Sequence, residues 1–196
     1  ELYQNLVDAF PKNHLLKRFR GDVYYEIPRL QQLFSVMKRE GWTASFISKK
    51  IDEYLAEIEN CEADSLYYKT FKYSKKTKDK AVGDFKPDYE KELEKMAQLR
   101  AAANEFDSYN QLMLLRNRYD YDDMIGWVLK AFKEDEQFLL TYQERYQYIL
   151  VDEFQDTSGT QNELIQLLIN YWERPNIFVV GDDDQSIFRF QGANVE

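Results

Sequence analysis

The sequence has 196 residues, enough for one compact domain or two small ones with a real core. Hydrophobic residues make up 44% and aromatic ones 16%, with 15 Tyr and 13 Phe, a content that excludes disordered, collagen-like and low-complexity chains. The net charge of −9 is uneven, because residues 1–100 hold 19 Lys and Arg against 17 Asp and Glu while residues 101–196 hold 7 against 18; the acidic total argues against a general DNA-coating protein but leaves room for a basic stripe in the first half.

A polar start leads to Ile27–Arg39, where Leu30, Leu33, Phe34 and Met37 share one helical face, Pro28 suits the first turn and Gly41 follows the end. Thr43 or Ser45 can cap a second helix in which Ile47, Ile51, Tyr54, Leu55 and Ile58 recur, ending near Asn60. The lone cysteine, Cys61, can form neither an internal disulfide nor a multi-cysteine zinc site, so it reads as a small buried residue of a reduced, intracellular chain. From Leu66 to Lys86 the period is lost, and an irregular connection or a poorly formed hairpin is expected. Asp88 opens a long helical stretch through Leu93, Met96 and Leu99, continued by Leu112 and Leu115. Asp120 can cap a helix holding Met124, Ile125, Trp127, Val128 and Phe132, and Phe138 to Tyr146 gives another. His14 has no evident partner in sequence, and Trp42 and Trp127 read as core or inter-helix anchors. No apolar run approaches the roughly 18 residues that span a bilayer, and no charged-then-apolar signal pattern opens the chain.

The pattern changes at Tyr148, where Ile149, Leu150 and Val151 form a continuous apolar run that stops at Asp152, Glu153, Phe154, Gln155 and Asp156. A helix with Leu164, Leu167, Leu168 and Trp172 follows, and Ile177 to Val180 make a second apolar run ending at Gly181, Asp182, Asp183, Asp184 and Gln185. Two buried strands joined by such a helix should lie parallel, so both acidic loops leave the same carboxyl edge, the ligand-binding edge of open α/β sheets. A carboxylate at a strand tip can hold Mg²⁺ together with phosphate oxygens and water, which makes Asp152 the metal candidate. Beside it Glu153 can take a proton from an attacking water, and Gln185 can hydrogen-bond a terminal phosphate.

Val151-Asp152-Glu153-Phe154-Gln155-Asp156-Thr157-Ser158 resembles the Walker B segment, motif II, of UvrD/Rep-type superfamily 1 DNA helicases. The run from Val180 through Gln185 to Ala193 resembles their motif III, and Tyr121 to Ile125 resembles the stretch by which the helical insertion, domain 1B, returns to the first RecA-like domain, 1A. The resemblance implies a mainly α fold: a helical 1B-like insertion over 1–118, then a strand-helix-strand piece of a RecA-like, P-loop NTPase α/β domain over 119–196. By the same resemblance Asp152 binds the Mg²⁺ of Mg-ATP, Glu153 is the general base and Gln185 contacts the γ-phosphate and couples it to DNA. Phe188 and Phe190 stand where the family has Tyr and Trp against single-stranded DNA bases, whereas Gln191 stands where it commonly has Arg.

No glycine here precedes a Lys-Ser or Lys-Thr pair, so the P-loop is expected before residue 1, and the 196-residue chain is expected to be inactive as an ATPase by itself. The implied partners are single-stranded and forked DNA and the remaining helicase parts, namely the rest of 1A, 2A and 2B, in a bacterial cytoplasm without membrane contact. Uncovered strands could also lead to self-association. In the first half Lys72, Lys75, Lys76 and Lys78 alternate with Tyr67, Tyr68, Phe71 and Tyr73, a mixture able to track a nucleic-acid backbone and stack its bases. A non-catalytic DNA-binding module over 1–146, and a metal-dependent nuclease using Asp152, Glu153 and Asp182 to Asp184, are the competing readings.

Overall fold

A computed structural model describes residues 1–17, 21–77 and 79–182. The helices are α1 (Leu2–Ala9), α2 (Ile27–Glu40), α3 (Ala44–Asn60), α4 (Leu66–Phe71), α5 (Pro87–Asn104), α6 (Phe106–Leu115), α7 (Tyr121–Glu134), α8 (Glu136–Arg145) and α9 (Gly159–Ile169). Two strands, β1 (Tyr148–Val151) and β2 (Asn176–Val179), flank α9. Residue contacts divide the chain into two compact units, one formed by 1–31 and 43–112, the other by 32–42 and the chain from Met113 onward.

In the first unit α3 and α5 pack together and α4 joins both. Helix α1 forms within the stretch read as a polar start, because Leu2, Leu6, Val7 and Phe10 fall close to one face; Leu6, Val7 and Phe10 are buried. Helix α3 starts where expected, with the Thr43 hydroxyl accepting the Phe46 N–H at 3.2 Å. His14, without an evident partner in sequence, has three neighbours: its Nδ1 accepts the Leu16 N–H, its Nε2 lies 3.2 Å from Glu105, and its ring stacks on Phe10. Cys61 is half-buried rather than buried, and its thiol donates to the Ile58 carbonyl.

The 66–86 segment is more ordered than its lack of period suggests. The Ser65 hydroxyl caps α4, and a hairpin then closes through an antiparallel bridge between Lys72 and Phe85, with Tyr73 N–H donating to Asp84 O at 2.9 Å and Lys86 N–H to Phe71 O at 2.8 Å. Gly83 takes φ +93° at this turn, a conformation that L side chains rarely adopt.

Ile58, Phe71 and Tyr89 form a buried cluster ringed by Tyr54, Leu55 and Tyr67. The Tyr89 hydroxyl donates to Glu59 at 2.7 Å. Burial, then the Glu59 carboxylate, push the Tyr89 phenol up to about 12. The fold therefore favours the neutral phenol, a contribution complete below the ordinary value of 10.0 and lost as pH rises towards 12. Tyr24 and Tyr54 are also raised, so an ultraviolet titration should show a late-ionising component that shrinks by one tyrosine in Tyr89→Phe; identical late limbs in the two proteins would contradict this.

In the second unit α7, α8 and α9 pack on one another. Phe132, Phe138 and Tyr142 form an aromatic cluster between α7 and α8, and the buried Gln143 amide donates to the Leu167 carbonyl at 2.7 Å. Asp120 and Asp123 form a reciprocal capping box at the start of α7. The Lys38 ammonium, on a side chain only 6% exposed, sits 2.8 Å from Asp120 and 2.7 Å from Asp123.

Strands β1 and β2 pair in parallel, with Tyr148 opposite Asn176 and Val151 opposite Val179. The expected burial of both strands is only partly observed: Val151 is buried and Ile149 and Ile177 are half-buried, but the other face is open. Tyr148, Leu150 and Phe178 share one face, and Leu150 and Phe178 are 79% and 63% exposed. Each strand has one hydrogen-bonded neighbour among the described residues, so a continuous apolar run has specified extended backbone without a cover on that face. Trp42 and Trp127, expected as core or inter-helix anchors, are not in the core, being 38% and 47% exposed, and the Trp127 ring lies against Tyr119. Among the described residues no helix is long and apolar enough to cross a membrane.

Candidate functional site

The end of β1 and the end of β2 are tied together. Val180 N–H donates to Val151 O at 2.8 Å, and Phe154 N–H donates back to Val180 O at 3.0 Å. The chain leaving β1 therefore cannot splay away from the chain leaving β2. Asp152 occupies the tip of β1, exposed, with its Oδ1 accepting the Glu153 N–H at 3.0 Å.

Glu153 lies in the left-handed region, at φ 51° and ψ 44°. A non-glycine residue there costs on the order of 1 kcal/mol or more, and such strain gathers where a side chain must be aimed. The strain reverses the chain into a single 3-10 turn, Phe154–Asp156, leaving the Glu153 carboxylate at the sheet edge. The turn is closed by Asp156 N–H to Glu153 O at 2.9 Å and by the Thr157 hydroxyl, which donates to Phe154 O at 2.7 Å.

Helix α9 begins immediately afterwards. Ser158 and Gln161 cap it reciprocally. Its first amide, Gly159 N–H, donates to the Glu40 carboxylate at 3.0 Å, and the Thr160 hydroxyl donates to Arg39 O at 2.8 Å. The end of α2 is thus seated on the beginning of α9, with a carboxylate at the positive end of the helix. Gly159 is needed for this approach, since a Cβ there would lie 2.9 Å from the Glu40 carbonyl oxygen.

The buried Gln155 reaches both acidic loops. Its side-chain amide nitrogen donates to Glu153 Oε2 at 2.6 Å, and its oxygen accepts the Asp182 N–H at 3.0 Å. In sequence Gln155 stands within its motif with no role of its own. Gly181, whose added Cβ would lie 2.7 Å from the Gln155 oxygen, is the signal in sequence of a close approach.

The structure thus brings Asp152 and Glu153 to one edge beside Asp182. Gln185, Phe188 and Phe190 lie outside the described residues, as do Lys78, Asp183 and Asp184. One exposed carboxylate next to a fixed second one suits a hard divalent cation that takes its other ligands from phosphate and water. Among the described residues no three His, Cys, Asp or Glu side chains gather into a metal cage.

The lysine-aromatic stretch divides by environment. Lys75 and Lys76 are exposed on the hairpin. Lys72 is buried, donates to the Glu59 carbonyl, and lies over the Tyr68 and Phe85 rings at 5.7 and 5.0 Å. Phe71 packs edge-on against Tyr89, and Tyr67 against Tyr54. Phe71 is thus committed to the core of the first unit, whereas Tyr67, Tyr68 and Tyr73 are half-buried.

A model of the UvrD/REP helicase N-terminal domain matches residues 7–196. A probable DNA helicase of Mycoplasma pneumoniae is 32% identical over 146 residues, 74% of this chain and 26% of that protein. The ATP-dependent DNA helicase Rep of Buchnera aphidicola is 36% identical over 102 residues, 52% of this chain and 16% of that protein. The ATP-dependent DNA helicase PcrA of Bacillus subtilis is 39% identical over 90 residues, 46% of this chain and 12% of that protein. The chain thus spans between 12% and 26% of the length of these curated relatives. With the family model covering all but its first six residues, the chain belongs to the UvrD/REP helicases, to which it is matched through their N-terminal domain.

Proposed function

We propose that this chain is the segment of an ATP-dependent DNA helicase that supplies the general base and the metal-binding carboxylate of ATP hydrolysis. The observation that carries the reading is the strained Glu153, held at the tip of a parallel strand beside Asp152. Bound Mg-ATP would supply the phosphoanhydride bond whose cleavage drives translocation. Asp152 would hold the cation, and Glu153 would orient the attacking water and take its proton. Gln185 contacts the terminal phosphate, and Phe188 and Phe190 contact DNA bases. Residues 1–118 form the 1B-like insertion and 119–196 the motif II and III portion of a RecA-like 1A domain. The P-loop and the 2A and 2B domains come from other parts of the protein, which moves 3′ to 5′ on single-stranded DNA in a bacterial cytoplasm. Names of relatives as ATP-dependent DNA helicases support this reading. The exposed apolar face of β1 and β2 supports further strands of the same protein, or a second copy, as its cover.

On this reading the 196-residue chain hydrolyses ATP no faster than background. A robust Mg²⁺-dependent rate that is abolished by Glu153→Gln would overturn the division of the site. For DNA, Lys75, Lys76 and Lys78 are the proposed contacts, with Lys72 supporting the hairpin from beneath. Fluorescence anisotropy with forked, duplex and single-stranded DNA across a salt series tests this. The Lys75→Ala, Lys76→Ala double variant should weaken binding and flatten the slope of log affinity against log salt by about 1 for each lysine that meets a phosphate. An unchanged slope would make the hairpin a solvated loop.

A further inference from the structure

The Gln155 side chain makes two hydrogen bonds of opposite sense, and only one orientation of its amide satisfies both. The nitrogen must face the Glu153 carboxylate and the oxygen must face the Asp182 N–H, since the flipped amide would set oxygen against carboxylate and N–H against N–H. The residue is 8% exposed, so its polar atoms have little access to water, and leaving either unpaired would be costly. The same loops are pinned by the Val151–Val180 and Phe154–Val180 backbone bonds. Gly181 makes room, because a Cβ there would lie 2.7 Å from the Gln155 oxygen and 3.3 Å from Phe154 Cβ and N. A glutamine side chain thus lies between the carboxylate following one strand and the backbone following the next.

We propose that Gln155 is a positioning residue that fixes the Glu153 carboxylate and ties it to the Asp182 backbone, so that displacement of Asp182 is transmitted to the base. The role in turnover rests on Glu153 being the general base; the tie itself does not. Without Gln155 the Glu153 side chain would retain its left-handed backbone but lose the donor that selects one rotamer, and the loop after β2 would lose its side-chain acceptor. Gln155→Glu separates the two bonds: it keeps an acceptor for Asp182 N–H and replaces the donor to Glu153 by a like charge.

The test begins with the unaltered 196-residue chain, in which a through-hydrogen-bond scalar coupling between the Asp182 amide nitrogen and the Gln155 side-chain carbonyl carbon is expected by NMR. Its absence overturns the tie without recourse to any variant. In Gln155→Ala, amide exchange at Asp182 should quicken about fivefold to tenfold, the loss of one modest hydrogen bond, while amides inside α9 keep their protection. In Gln155→Glu, Asp182 should stay protected while the Glu153 carboxyl carbon resonance moves. In the helicase, Gln155→Glu should lower kcat for ATP about 10- to 100-fold, part of what a general base contributes, with KM for ATP nearly unchanged. Unchanged Asp182 exchange in Gln155→Ala, or an effect on KM alone, would overturn the proposal. Were Glu153→Gln itself without effect on turnover, the catalytic reading would fall while the NMR results still decided the tie.

Discussion

Replacing Glu153 by Gln should reduce ATP turnover by the helicase about 10²- to 10⁴-fold, the range for removal of a general base, with nucleotide affinity retained. The two side chains are nearly isosteric, and the substitution leaves the left-handed backbone, the 3-10 turn and Asp152 in place. The group removed is the carboxylate proposed to accept the water proton. Asp152→Asn should behave differently. With Asp152 proposed as the cation ligand, its effect should appear in KM and in the Mg²⁺ concentration required as well as in kcat. Steady-state ATP hydrolysis with kcat and KM separated, together with nucleotide binding under non-hydrolysing conditions, distinguishes the two. A Glu153→Gln enzyme that loses ATP binding but turns over normally at saturation would contradict the assignment of the base.

Lys38→Met should destabilise the protein by about 2–3 kcal/mol, at or just below the lower end of the roughly 3–5 kcal/mol cost of removing one partner from a buried ion pair. The lower end applies because the Asp120 side chain is 44% exposed, although that of Asp123 is only 18% exposed. The substitution leaves two carboxylates facing an apolar stem, compensated only by the amino end of α7. Burial raises the Asp120 carboxyl, but hydrogen bonds from Lys38 and from the Asp123 N–H hold it below its ordinary value. Its contribution is therefore present above the ordinary carboxylate range and is lost as pH falls through the depressed folded value. Burial lowers the Lys38 ammonium, but the two carboxylates outweigh this and raise it, so its contribution is complete below its ordinary 10.5 and is lost only above that. Both contributions are whole at neutral pH. Denaturant unfolding of Lys38→Met should accordingly show a shallower acid limb than the unaltered protein, and Asp123→Asn in the Lys38→Met background should recover part of the loss. Equal stabilities of the two proteins at neutral pH would show that the pair contributes nothing.

Local pattern made much of this fold legible. Periodicity and caps located α2, α3 and α7, including the roles of Thr43 and Asp120, and the two apolar runs located β1 and β2 with their parallel pairing. Contacts between residues distant in sequence were not legible. Nothing local in Glu40 and Gly159, 119 positions apart, announces that one caps the helix beginning at the other. The lysine-aromatic alternation of 67–86 read as one surface, yet closing the hairpin turned Lys72 and Phe71 inward and left Lys75 and Lys76 outside. Asp152 and Glu153 were visible because the abrupt change from apolar to acidic marks a strand tip. The role of Gln155 was hidden, because it depends on a backbone amide 27 positions away.

The second unit is discontinuous in sequence, and this shapes how the chain can acquire its structure. Phe34 and Met37, almost wholly buried, belong to a unit whose remaining residues begin only at Met113. During synthesis these side chains emerge well before the surface that will cover them. Residues 43–112, which mature within the first unit, form the loop that must be closed. Prior folding of that loop shortens the effective distance between its ends and so reduces the entropy of closure. The first unit should thus gain protection early and the junction of α2 with α9, which closes the longest loop, late.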